Sequence, residues 1–177
     1  YNLAWNGGHP VVTGLNAVGK DLGEPLLVED FSKAASGKTP QGWGFNHQPN
    51  KSVKLIAVDG AIAVDCAKGE DAKNTHSVFH GPNLPIKQGA AYRVKLRVKS
   101  SEPAGRVGLA LASFENGKGY WQGASKSVAV TSEWQEAEVT GRMPKEGEAQ
   151  FKDWMKTFWL RVDAHDEKGR IFIDDVR

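Results

Sequence analysis

The sequence predicts an all-β protein, an antiparallel β-sandwich of two packed sheets, and three observations carry that prediction. Apolar and polar residues alternate with period 2 in several segments, as in a strand with one face in a core. Polar turn signals separate these segments: Asp59-Gly60, Asn116-Gly117 and Lys168-Gly169. The chain has 177 residues, a size for one domain, and its 20 Gly and 8 Pro suit a turn-rich fold.

Taken in order, residues 1–24 (YNLAWNGGHPVVTGLNAVGKDLGE) are rich in Gly and Asn and carry little periodicity. They are expected to be an N-terminal extension packed on the domain or the remnant of a connection to a neighbour, with the sandwich over residues 25–177. The chain starts at Tyr1 and stops on a strand, as a piece cut from something longer would. LLVEDF is the expected first strand, and DFSKAASGK can make a short turn of helix. SVKLIAVDG, AIAVDC and HSVFHGP supply further strands. In AAYRVKLRVKS, Tyr92, Val94, Leu96 and Val98 alternate with Arg93, Lys95, Arg97 and Lys99. RVGLALASF sets Val107, Leu109 and Leu111 against Gly108, Ala110 and Ala112. KSVAVT and WQEAEVTGRM follow, and EAQFKDWMKTF reads as an irregular loop. TFWLRVDAH opposes Phe158, Leu160, Val162 and Ala164 to Trp159, Arg161 and Asp163, and RIFIDDV closes the set.

Composition excludes several functions. The net charge is +2, with basic residues interleaved among acids, so nucleic-acid binding has no support. No apolar run approaches the roughly 18 residues of a membrane span, and the N-terminus lacks the basic and apolar regions of a signal peptide. Cys66 is the only cysteine, which rules out an intrachain disulfide; in AIAVDCAK it reads as a buried structural thiol. Catalysis is equally unsupported. His76 and His80 on a strand would stand about 13 Å apart, too far to share a zinc ion. The chain has neither a G-x-S-x-G elbow nor a G-x-G-x-x-G loop.

Four phrases in order, LLVEDFSKAASGKTPQGW, LPIKQGAAYRVKLRVKS, TSEWQEAEVTG and GRIFIDDVR, resemble the carbohydrate-binding modules of families 4, 9, 16 and 22. The resemblance covers most of the chain and implies a galactose-binding-like β-jelly roll. It also implies a secreted or cell-surface, non-catalytic module of a polysaccharide-degrading enzyme, covalently linked to a catalytic domain. Such domains commonly carry a structural calcium ion where the first and last strands meet. Calcium takes about 6 to 8 oxygen ligands. The expected donors are one carboxylate of Asp174 or Asp175, which as strand neighbours point to opposite faces, with Glu29 or Asp30 and carbonyls of residues 36–38. The family often has Glu after the first-strand Phe, whereas here Ser32 follows Phe31.

A sugar site needs aromatic faces for stacking and planar polar groups for hydrogen bonds. Trp134 and Trp43 are expected to be structural, and Trp154 is open between rim and core. In ENGKGYWQGAS no strand pattern demands burial, so Tyr120, Trp121 and Gln122 are the expected contact surface. Trp159, Arg161 and Asp163 share a strand face and are the second candidate group, with Asn46 and His47 as further polar contacts. The row Arg93, Lys95, Arg97, Lys99 reads as a solvated convex face; lining the opposite face it would favour an anionic polysaccharide. Two rival readings are a structural accessory sandwich that binds no sugar and a protein-recognition domain. Exposure of Trp121 and Trp159 along one groove would separate the sugar module from the accessory sandwich.

Overall fold

The computed structural model describes residues 3–6, 9–12, 24–48, 52–66, 76–102, 105–166 and 169–177. In chain order the strands are β1 (Leu3–Asn6), β2 (His9–Val12), β3 (Gly44–His47), β4 (Leu55–Val58), β5 (Ala61–Asp65), β6 (His76–His80), β7 (Leu84–Pro85), β8 (Ala91–Ser100), β9 (Gly105–Glu115), β10 (Gly119–Val130), β11 (Gln135–Arg142), β12 (Thr157–His165) and β13 (Arg170–Asp174). One sheet has the order β10-β9-β12-β6-β3, with β7 paired to the start of β12. The second has the order β11-β8-β13-β5-β4. Neighbours in both sheets are antiparallel. This is the sandwich that the period-2 pattern predicts, and among the described residues there is no helix.

The core lies between the two sheets. β9 turns Val107, Leu109 and Leu111 inward, β12 turns Phe158, Leu160 and Val162, and β8 opposes them with Val94, Leu96 and Val98. Tyr92 of β8 meets Phe158 of β12 with ring centroids 4.6 Å apart, so the aromatic contact spans both layers. Trp43 packs edge-on against Phe31 at 5.4 Å and tilted against Phe79 at 6.2 Å, the structural role expected of it. Fully burying side chains of this size stabilises by about 1.5–3 kcal/mol each. Cys66 is buried, and burial, assisted by the Asp166 carboxylate, pushes its thiol up to about 12. The buried Ser100 hydroxyl donates to Asp166, whose other oxygen accepts the Gly169 N–H at 3.0 Å, tying the ends of β8, β12 and β13 together.

Several expectations change. LLVEDF is not a ladder strand: only Glu29 pairs, exchanging two 2.9 Å bonds with Val176, and Phe31 at φ 51° bends the chain and turns its ring into the core. DFSKAASGK forms successive turns, with Ala34 N–H donating to Phe31 O and Lys38 N–H to Ala35 O. EAQFKDWMKTF is irregular as predicted. Within the N-terminal segment, read as carrying little periodicity, β1 and β2 pair antiparallel with each other. ENGKGYWQGAS, where no strand pattern demands burial, contains the β9-β10 turn and the first part of β10 from Gly119 on, and β10 continues through a register shift between Gln122 and Ser125 to Val130. Both the Asp59-Gly60 and Asn116-Gly117 turns form, with positive φ at Asp59, Gly60 and Gly117. Lys168 of the third turn lies outside the described residues, as do residues 13–23 of the N-terminal segment.

Candidate functional site

The outer face of the β10-β9-β12-β6-β3 sheet brings most of the predicted contact residues together. Alternation decides which ones. On β12, Phe158, Leu160 and Val162 point into the core, so Trp159, Arg161 and Asp163 point out. On β9 the outward residues are Gly108, Ala110, Ala112 and Phe114; on β10 they include Tyr120 and Gln122. Cross-strand register places Gln122, Ala112 and Trp159 in one row, and Ala110, Arg161 and His80 in the next. Tyr120 stands opposite Phe114 beside the β9-β10 turn. β9 thus sets a floor of small residues between two strands with long ones, and Ala110 and Ala112 are buried beneath those side chains.

A network of charge-assisted hydrogen bonds crosses that floor. Arg161 donates from Nε to Asp163 Oδ2 at 2.9 Å and from Nη2 to Oδ1 at 2.7 Å. Its Nη1 reaches over β9 to Tyr120 Oη at 2.9 Å, and Tyr120 donates in turn to Gln122 Oε1 at 2.8 Å. The guanidinium also lies 5.9 Å from the Tyr120 ring centroid. The Asp163 hydrogen bond is the main reason that Arg161 holds its proton more tightly than a free guanidinium; burial works the other way. Fixed two-point pairing of this kind sets the direction of each donor as well as its charge.

Exposed aromatics stand at one end. Phe114 is 51% and Tyr120 47% exposed, and as cross-strand partners on one face they form an accessible apolar surface next to the polar network. Phe114 was not among the predicted residues, although the alternation of Gly108, Ala110 and Ala112 leads straight to it.

Trp121 requires a correction. It is 8% exposed and belongs to the core, because β10 starts at Gly119 and its alternation turns Trp121 inward opposite Ser113. Gly123 makes the room: a Cβ there would stand 2.4 Å from the Trp121 ring. Trp159 does point outward but is only 7% exposed, with the His80 ring centroid 5.8 Å away. His80 donates from Nδ1 to the Gly81 carbonyl at 2.8 Å, which leaves Nε2 beside Gly44. Asn46 and His47 are exposed at a bulge in the edge strand β3, where His47 is the register partner of Val78, itself opposite Asp163. Trp154 is half-buried, packed on the core and beside Gly119.

The basic row lies on the outer face of the other sheet. Arg93 and Lys95 each approach Glu138 at 3.5 Å, and Arg97 approaches Asp174 at 3.8 Å. Trp134, expected in the core, is half-buried on this face with Arg97 and Lys99 5.0 and 4.9 Å from its centroid; Lys99 also lies 5.3 Å from Phe172. Trp134 directly precedes β11, whose Ala137 and Val139 take the inward positions.

The predicted calcium donors sit where Glu29 pairs with Val176. Asp30 accepts the Ser32 N–H at 3.0 Å and its hydroxyl at 2.8 Å, and Asp175 accepts Arg177 at 2.6 Å. Asp174 accepts the Asp175 N–H at 2.7 Å, and partial burial, more than the nearby Asp175 and Asp30 charges, raises its pKa. The carbonyl of Lys38 is taken by Ala57 N–H on β4 at 2.8 Å. Among the described residues no three metal-ligating side chains converge, so these acids supply charge without a finished cage.

No protein-family model matches the chain, and no curated protein matches it. Solved structures do. A module described under the heading of CBM4 structure and function superposes with a TM-score of 0.53 at 14% identity, covering 84% of this chain and 94% of the other. The fold is that of carbohydrate-binding modules. The apo form of BiXyn10A CBM1 gives a TM-score of 0.55 at 18% identity, covering 85% of this chain and 94% of that one. A family 11 carbohydrate-binding module from Clostridium thermocellum, in complex with a β-1,3-1,4-mixed-linked tetrasaccharide, gives 0.52 at 15% identity, covering 84% and 92%. Each carbohydrate-binding module is spanned almost end to end by the sandwich.

Proposed function

We propose that this protein is a non-catalytic carbohydrate-binding module that holds a glycan on the outer face of the β10-β9-β12-β6-β3 sheet. The observation that carries the reading is the exposed Phe114–Tyr120 pair adjoining the Arg161, Asp163 and Gln122 network across a floor of Ala and Gly. Sugar rings offer C–H faces that stack on aromatic rings and hydroxyls that accept from or donate to fixed planar groups. Stacking therefore passes from the buried Trp121 to Tyr120 and Phe114, with Gln122, Arg161 and Asp163 as polar contacts and His47 at the far edge. Linked to a secreted polysaccharide-degrading enzyme, such a surface would raise the effective concentration of enzyme on its substrate. Affinity is expected at about 1 mM to 1 µM.

Calcium at the Glu29, Asp30, Asp174, Asp175 seam is part of the same proposal: an ion there would offset the partly buried Asp174 charge.

The test is calorimetric titration of the full chain against soluble neutral and anionic polysaccharides, comparing wild type with Tyr120→Ala. Heat in wild type that is lost in a folded Tyr120→Ala supports the reading. A panel without heat supports the alternative that burial of Trp121 and Trp159 favours, a structural accessory sandwich packed on a catalytic domain.

A further inference from the structure

We propose that Gly108 is a positioning residue of this face, setting the Arg161 guanidinium through Asp163. The inference rests on the reading that the face binds a glycan. Gly108 lies within β9, paired with Ser127 of β10 on one side and Asp163 of β12 on the other. Glycine inside a strand weakens it and signals either an unusual backbone or a close approach. The backbone reason is absent, since Gly108 is not among the residues with positive φ. Close approach is the reason that remains. A Cβ at Gly108 would stand 3.2 Å from Asp163 Cβ, 3.8 Å from its Cγ and 3.7 Å from Oδ2.

Those atoms govern the clamp. Oδ2 accepts Arg161 Nε and Oδ1 accepts Nη2, so any displacement of the Asp163 side chain moves both acceptors together. Because the opposite end of the guanidinium is held by Tyr120 Oη, Arg161 is fixed from β12 and β10 at once, over β9. Gly44 likewise clears His80 on this face, at 3.3 Å from Nε2, whereas the crowding at Gly105 and Gly141 concerns packing. At Gly105 a Cβ would meet Ser100 and Val130 at 2.8 Å, and at Gly141 it would meet Ala124 at 2.7 Å. Gly108 differs in that its missing Cβ makes room for the carboxylate that holds Arg161.

The experiment uses the full chain with Gly108→Ala, Gly108→Val, Asp163→Asn and the double variant Gly108→Val/Asp163→Asn. Three quantities are read: the Arg161 Nε–H NMR cross-peak and its exchange with water, thermal unfolding, and calorimetric affinity for a glycan that wild type binds. The expected result is a protected Nε–H signal in wild type that shifts in Gly108→Ala and exchanges rapidly in Gly108→Val and Asp163→Asn. Affinity falls about tenfold in Gly108→Val and in Asp163→Asn, and no further in the double variant. A wild-type-like Arg161 signal in Gly108→Val overturns the proposal, as does a double variant whose loss is the product of the two single losses. Should Gly108→Val not fold, the Arg161 signal in Gly108→Ala decides. Absence of any glycan binding by wild type would defeat the functional reading alone, because the Arg161 signal still decides the positioning role.

Discussion

Arg161 and Asp163, two residues apart on β12, leave the same sheet face and join at two points, 2.9 and 2.7 Å. The pairing consumes two donors of the planar guanidinium while Nη1 stays directed at Tyr120. Lysine offers a point charge without that fork. Arg161→Lys is therefore expected to weaken glycan affinity about tenfold, roughly 1.4 kcal/mol, at unchanged net charge. Titration calorimetry measures it, and an affinity equal to wild type would remove the fork from the mechanism.

Tyr120→Ala and Phe114→Ala separate binding from folding. Both rings are about half exposed, so both variants are expected to fold, Phe114→Ala within about 0.5 kcal/mol of wild-type stability and Tyr120→Ala somewhat lower for the loss of its hydrogen bonds with Arg161 and Gln122. Binding is expected to fall about tenfold or more in Tyr120→Ala, which loses both the ring and the Arg161 acceptor. A similar fall in Phe114→Ala would establish the pair as one stacking surface.

Trp121→Ala should do the reverse. Removing a buried ring from the core costs about 3–5 kcal/mol, a drop of about 10 °C in melting temperature for a domain of this size. The folded fraction should keep its glycan affinity at low temperature. Loss of binding with an unchanged melting curve would contradict the burial.

Cys66 gives a pH signature. Its folded pKa of about 12 exceeds the unfolded value of about 8.5, so its contribution is complete below pH 8.5 and fades as pH rises toward 12. Urea unfolding at pH 8 and pH 10.5 should show a smaller alkaline loss in Cys66→Ala than in wild type. Native protein at pH 8 should leave a thiol reagent unreacted until urea is added.

Asp174 has its pKa raised, first by burial and then by Asp175. The protonated form is favoured on folding, so the charged group opposes stability at neutral pH, and this opposition disappears below the unfolded pKa of about 3.9. Asp174→Asn should melt higher than wild type at pH 7 and equally at pH 3. If calcium binds the seam, it should raise the wild-type melting temperature and leave Asp174→Asn unmoved; equal curves with calcium and with chelator would exclude the ion.

The sandwich was legible in the sequence where inward and outward residues differ in polarity, as in β8, with its Val and Leu against Arg and Lys, and in β12. It was less legible where glycine serves packing. GKGYWQG looks like a loop because glycine usually marks turns, yet Gly123 is there to clear the Trp121 ring. That one misreading moved a tryptophan from the core to the surface. LLVEDF has the composition of a strand, but the positive φ of Phe31 is a tertiary outcome, bought by seating its ring on Trp43. Arg161, Asp163, Tyr120 and Gln122 were predicted separately from β12 and β10. Their union across β9 is a matter of strand order, which spacing along the chain does not encode.

Burial of Trp43, Trp121 and Trp159 has a spectroscopic consequence. These three indoles are shielded and respond to unfolding, and Trp159 lies on the outer face in the row of Gln122 and Ala112, whereas the accessible rings of that face belong to Tyr120 and Phe114, which emit weakly. A glycan on that face would reach Trp159 only through the side chains that cover it, so a fluorescence titration is expected to show a small change where calorimetry registers heat. Phe114→Trp would add an exposed fluorophore to that face and give a stronger optical readout of a bound glycan.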